Sequence, residues 1–271
     1  MKKIISILMA CALMAPISAQ DAEPAGEEVS TTLSFSFMSN YFFREVNFGQ
    51  GASRDSNGKD SAFPVAPAFA SFVEAEMGAV YVGMGQVFAI DKKAHTGVGD
   101  SGSTGFSATE TNLLVGLNAG NLDFALGTFL YSGLPGGTTP NAATTEVQVT
   151  YSSLFSLDGL AFTLGADASG TYTYYILDYA LPELVSGLGI NIIYGGNILR
   201  GTDAADQLYG FDTAQNSYAQ LVIGYGLEVG PGTLDIGVMG QYSLAKNGFD
   251  GYSASPTKGM GAATLGYSLP L

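Results

Sequence analysis

The amino-acid sequence predicts an all-β fold, a single closed antiparallel transmembrane β-barrel of about twelve strands, and three observations carry that prediction. Segments of about ten residues alternate apolar with small or polar side chains, the two-residue period of strands whose faces meet different surroundings. No apolar run of 18 residues follows the N-terminal segment, so no conventional transmembrane helix is available, and convincing amphipathic helices are missing as well. The connections between segments alternate long with short, which in chain order places them on opposite rims of one wall.

Composition narrows the class. Charged side chains make up 13% of the 271 residues, against roughly 25% in a soluble globule, which counts against an ordinary cytoplasmic enzyme. The formal charge of −14 leaves no evident basic surface for nucleic-acid phosphates.

Lys2 and Lys3 precede a largely apolar run from Ile4 to Met14, and Ala15 to Ala19 then bring the chain to a small residue. This pattern predicts a signal peptide over residues 1–19, cleaved after Ala19, with eight basic and 24 acidic side chains remaining. Leu8, Met9, Ala10 and Cys11 also look like the box before an acylated lipoprotein cysteine. The apolar run is short before Cys11 and continues past it, which favours ordinary cleavage and the loss of the single cysteine. Gln20 to Glu28 is polar and acidic, with Pro24 and Gly26, and residues 20–29 are expected to be a flexible N-terminal segment. The barrel is assigned to residues 30–271.

The strands follow in order. In 31–44, Leu33, Phe35, Phe37, Tyr41 and Phe43 share one parity, while Thr32, Ser34, Ser36, Asn40 and Arg44 share the other. The same test gives strands at 65–76, with Phe72, Glu74 and Glu76 on the inner parity, and at 80–90. There Gln86 shares the outer parity with Val82, Met84 and Phe88, which implies a bulge, a rim position or a shifted register. Strands at 107–118 and 121–132 place Glu110, Asp123, Ala125 and Gly127 inward. In 143–154, Val147, Val149 and Tyr151 oppose Glu146, Gln148, Thr150 and Ser152. Further strands run over 160–168 and 171–180, with Gly165, Asp167, Tyr172, Tyr174, Ile176 and Asp178 inward. Those at 187–197 and 215–227 turn Gly189, Asn191, Gly195, Gln220, Gly224 and Gly226 inward. The last two, 233–244 and 258–270, bring Asp235 and Met239 to the same face, with Lys258 at a strand edge.

Long, mostly polar connections at 45–64, 91–106, 133–142, 198–214 and 245–257 alternate with short ones at 77–79, 119–120, 155–159, 181–186 and 228–232. Only the turn at Ser169 and Gly170 is short on the long side. That asymmetry, with the glycines and carboxylates of the inner parity, favours a membrane barrel with both chain ends in the periplasm over a soluble sandwich. Tyr41, Tyr151, Tyr175, Tyr179, Tyr194, Tyr225 and Tyr267 lie on the apolar parity, where rings in lipid can reach headgroups. General strand preference for Tyr gives the same pattern.

The segments SNYFFR at 39–44, GAVYVGMGQ at 78–86 and GNLDFALGTFLYSGLPG at 120–136, with fainter similarity over 172–182 and 217–227, resemble the TorF-like family of outer-membrane porins of Gram-negative bacteria. The resemblance implies a single outer-membrane barrel with a passive transport role. The chain departs from the family pattern in Glu45, where Gly is expected after Arg44, and in Gly85, close to where an aromatic is more familiar. Leu271 also stands in place of the terminal aromatic common in outer-membrane barrels.

The candidate lumen-lining residues are Glu74, Glu76, Glu110, Asp123, Glu146, Asp167, Asp178 and Asp235, with Arg44 as the one well-supported base. Arg44 is expected to pair with an acid and brace the interior, or to mark a constriction with those acids. Such a wall predicts a weakly cation-preferring passage for small hydrophilic solutes or ions, because a low-dielectric wall focuses the field of its fixed charges. Inward Met38, Phe42, Phe72, Tyr172, Tyr174, Ile176 and Met239 could narrow or block it. The expected partners are therefore outer-membrane lipid and small solutes or cations, with no nucleic acid.

Enzymatic chemistry has little material. The one histidine, His95, lies in a glycine-rich loop where a buried Ser-His-acid arrangement is not expected. Asp100 and Gly102 lack a regular calcium-loop spacing, and Gly83 with Gly85 lacks the lysine of a phosphate loop. No cofactor, metal or catalytic residue is assigned. A non-conducting structural or adhesion barrel acting through its outer loops is the alternative, and a membrane-embedded lipid enzyme is a weaker one.

Overall fold

The computed structural model describes residues 29–40, 42–43, 46–47, 67–90, 109–132, 141–168, 172–199, 215–244 and 259–271. The assigned signal peptide, Cys11, Arg44, His95 and most of the long connections lie outside the described residues.

Twelve antiparallel strands close into one barrel. They are β1 (Ser30–Met38), β4 (Ala68–Met77), β5 (Val80–Ala89), β6 (Thr109–Ala119), β7 (Leu122–Ser132) and β8 (Asn141–Ser152), followed by β9 (Leu160–Asp167), β10 (Tyr172–Ala180), β11 (Leu188–Leu199), β12 (Gln215–Val229), β13 (Gly232–Ser243) and β14 (Gly259–Pro270). Each barrel strand pairs with its barrel neighbours along the chain, and β1 closes the ring by pairing with both β4 and β14. The short β2 (Phe42–Phe43) and β3 (Val46–Asn47) form a separate two-stranded pair.

The alternation in the sequence becomes an inside and an outside. Phe35, Phe37, Leu126, Val147, Ile236, Val238 and Leu265 are exposed on the outer face, and Leu33 and Val149 share that face in part-exposed positions. Ser34, Ser36, Gln148, Thr150, Thr163 and Gln241 are buried on the inner one. A soluble barrel or sandwich would reverse this arrangement, so the outer wall is built for hydrocarbon. Gln86 stays on the outer parity in an unbroken register, opposite Ser71 on β4 and Thr111 on β6, so no bulge is needed to explain it.

Three hairpins turn on two residues beginning with Gly78, Gly120 and Gly230. Each adopts a positive φ, of 59°, 64° and 61°, at the first central position, as type II′ hairpin turns require. Strands are steeply tilted. Following hydrogen-bonded neighbours from Ser30 through Glu76, Tyr81, Gly116, Ala125, Gln148, Gly165, Tyr174 and Asn197 climbs from the short-turn rim almost to the opposite one.

The first strand is shorter than the 31–44 expected. It ends at Met38, and just beyond it Ser39 and Asn40 turn their side chains onto β14. Ser39 Oγ accepts a hydrogen bond from the Ala263 amide at 2.8 Å, and Asn40 Nδ2 donates to the Gly261 carbonyl at 3.4 Å. The Ser39 amide still donates to the Ala263 carbonyl at 2.9 Å, so these side-chain bonds supplement the last backbone bond of the ladder. Tyr41 lies outside the described residues.

Four of the outward tyrosines, Tyr151, Tyr179, Tyr225 and Tyr267, lie near the short-turn rim, and Tyr267 Oη donates to the Val229 carbonyl at 3.0 Å. Tyr175 and Tyr194 pair higher on the wall, their ring centroids 5.9 Å apart.

Leu126 sits mid-strand on β7, opposite Val147, and is 45% exposed. Leu126→Arg is expected to lower stability in bilayers by about 2–4 kcal/mol, the cost of a cation facing lipid near the midplane. The check is a shift in the denaturant midpoint of the refolded barrel. An unchanged midpoint would contradict the assignment of this face to lipid.

Candidate functional site

The inner wall is the candidate site. All eight carboxylates expected there stand on the inward parity of their strands: Glu74 and Glu76 on β4, Glu110 on β6, Asp123 on β7, Glu146 on β8, Asp167 on β9, Asp178 on β10 and Asp235 on β13. The register sorts them by height. Glu74, Glu76, Asp123, Asp178 and Asp235 lie toward the short-turn rim, whereas Glu110 and Asp167 lie near the opposite strand ends. Glu146 faces Asp167 directly across the β8–β9 ladder. Among the described residues there is no Lys, Arg or His.

Neighbouring strands supply donors to several of these acids. Tyr81 Oη donates to Asp123 Oδ1 at 3.1 Å, which joins β5 to β7 across the inner face of β6. Asn191 Nδ2 lies 3.1 and 3.3 Å from the two oxygens of Asp178. The polar wall continues in Thr150 and Thr163, whose hydroxyls are 2.8 Å apart, and in Gln241 Nε2, which donates to Gln220 Oε1 at 3.1 Å. Asp235 differs. It is 8% exposed, and both of its carboxylate oxygens are shielded from solvent without a hydrogen-bond donor.

Two features were missed in the sequence. Glu228 was assigned to a short connection, but β12 continues to Val229 and Thr233 Oγ1 donates to Glu228 Oε1 at 3.2 Å. The two-residue spacing of Gly224, Gly226 and Glu228 was the signal that β12 had not ended. The second is an apolar cluster inside the barrel. Met38, Tyr174, Ile176 and Met239 were expected to face inward, and they are joined there by Val87, Ile193, Tyr218 and Val222 in one buried group.

Aromatic rings also cover inward glycines. Phe72 packs over Gly83 and Gly85, Tyr81 over Gly116, Tyr174 over Gly165 and Tyr218 over Gly195, in each case leaving no room for a side-chain carbon. The glycines therefore let large rings lie flat against the wall. Among the described residues, no three His, Cys, Asp or Glu side chains gather as a metal site.

No protein-family profile matches the chain, and no curated protein does. Solved barrels do resemble it. The NanC porin superposes with a TM-score of 0.47 at 8% identity, covering 89% of this chain and all, 100%, of that one. OprB of Pseudomonas putida gives 0.33 at 10%, covering 91% and 94%. The outer membrane channel DcaP of Acinetobacter baumannii gives 0.34 at 11%, covering 90% and 96%. Likenesses this remote assign neither a family nor a solute, and the resemblance to TorF-like porins rests on the sequence segments alone.

Tyr81→Phe removes the donor that Asp123 Oδ1 receives inside the barrel. The expected cost is about 1–3 kcal/mol, the usual penalty for stranding a buried acceptor, read from chemical denaturation of the refolded protein. A variant as stable as the parent would show that this bond contributes nothing net.

Proposed function

We propose that this protein is a passive outer-membrane channel of the TorF-like type, with its termini in the periplasm, passing small hydrophilic solutes or ions with a weak preference for cations. The observation that carries this reading is a barrel wall with a hydrocarbon-facing exterior and eight inward carboxylates, on which the described residues include no base. Inside a low-dielectric wall the field of fixed charges is concentrated along the lumen, so cations are enriched and anions depleted. Transport then needs no covalent step, and size and electrostatics do the sorting.

The non-conducting barrel keeps one observation in its favour. Met38, Phe129 and Tyr174 are almost wholly buried on the inner face, so large side chains occupy much of the interior. Conductance of the purified, folded barrel in planar bilayers separates the two readings, since a barrel that never opens would remove the channel.

Replacing Glu74 and Glu110 by Gln and Asp235 by Asn together is expected to lower the potassium-to-chloride permeability ratio by roughly two- to fivefold, the effect of weakening a lumen potential of about one kT. Reversal potentials under a KCl gradient report it, and values equal to the parent's would overturn the cation preference.

A further inference from the structure

Among the described carboxylates, Asp235 is the one with both oxygens buried and without a donor. Its cross-strand neighbours are Gly226 on β12 and Gly266 on β14, so no side chain flanks it on either adjacent strand. One inward step away, a carbon added at Gly224 would meet no atom within 4 Å. Elsewhere on the wall, Gly83, Gly85, Gly116, Gly165 and Gly195 lie beneath aromatic rings. Gly224 is therefore an uncovered gap beside an unsatisfied acid. A carboxylate held this way is costly unless a cation or donor meets it.

What lies beyond the gap defines the chemistry. Val222 and Met239 pair across β12 and β13, at the next inward positions past Gly224 and Gly237. They belong to the same buried apolar cluster as Ile193 and Ile176. Glu228, the acid on the neighbouring strand at the rim, is engaged by Thr233. A single carboxyl group at the foot of an apolar surface is a poor chelator of a divalent metal, which takes six or more oxygens as calcium. It suits a single positive group attached to an apolar body.

We propose that Asp235 docks the ammonium or guanidinium head of organic cations, whose apolar part lies through the Gly224 gap against Val222 and Met239. This rests on the channel reading above and names its solute class. The head forms a charge-assisted hydrogen bond with the carboxylate, and the body removes apolar surface from water as it seats.

The test uses the full barrel in planar bilayers carrying KCl current, with 2-phenylethylammonium, ethylammonium and neutral 2-phenylethanol as probes. Phenylethylammonium is expected to block about tenfold more tightly than ethylammonium, the difference a buried phenyl group supplies, and phenylethanol to block far more weakly. Asp235→Asn should weaken the phenylethylammonium block by about tenfold or more, with the current retained. Met239→Gln should weaken block by phenylethylammonium but not by ethylammonium. Asp158→Asn, in the exposed β8–β9 connection, should leave block as in the parent.

Block that ignores Asp235→Asn, or equal block by both ammonium ions, would overturn the proposal while leaving the channel standing. If the folded barrel carries no current, the channel reading fails by itself. Calorimetric binding of 2-phenylethylammonium to the detergent-folded barrel then decides the site: binding lost in Asp235→Asn upholds it, and no binding to the parent refutes it.

Discussion

A backbone amide or carbonyl exposed to hydrocarbon costs several kcal/mol, about as much as many side-chain contacts together can return, and the rest of this architecture follows from that constraint. A sheet in lipid can leave no edge, so β1 must find a partner on both sides and does so in β4 and β14. Once the ring is closed, each residue has only two places to point. Parity then becomes the controlling variable, and a carboxylate at an inward position is held in the lumen by the ladder of its own strand.

The interior has to solve a different problem. Twelve steeply tilted strands enclose more space than small polar residues fill, and inward rings occupy part of it. Phe72, Tyr81, Tyr174 and Tyr218 reach across onto glycines of the neighbouring strand. The same tilt brings donors to the acids: Tyr81 reaches Asp123 two strands away, and Asn191 reaches Asp178 one strand away. Buried polar groups are tolerable when a partner's strand happens to carry a donor at the matching height. Asp235 sits where the flanking strands carry glycine at that height, and it is the lower acid with both oxygens buried and without a donor.

Most of the barrel was legible in the chain because its two faces meet two solvents. That difference writes a two-residue period into β1, β8 and β12, and the glycines at 78, 120 and 230 mark where the wall turns back. The eight carboxylates could be assigned to the inner parity for the same reason. Other features depend on pairs of strands. Past the end of β1 at Met38, two side-chain bonds tie Ser39 and Asn40 to β14, and those residues alone do not announce them. Glu228 was hidden beside a glycine and proline that resemble a turn from two residues too early. Val87, Ile193 and Val222 look like lipid-facing residues in composition, and only the register reveals that they meet inside. Which acid lacks a donor is likewise a property of the neighbouring strand's register.

Charge and apolarity stand at successive heights on the inner wall. The described residues of the wall carry acids toward both rims and no base, so in the proposed channel the fixed charge of the lower acids would favour a cation over an anion. Beyond the lower acids the apolar cluster offers a hydrated ion nothing to replace its water, so a passing inorganic ion would have to keep its hydration shell there. Under the docking proposed at Asp235, a cation with its own apolar surface would gain from that cluster by seating its body against Val222 and Met239. The acids would therefore choose the sign of the solute and the cluster its shape, two filters made from one alternating pattern at different heights on the wall.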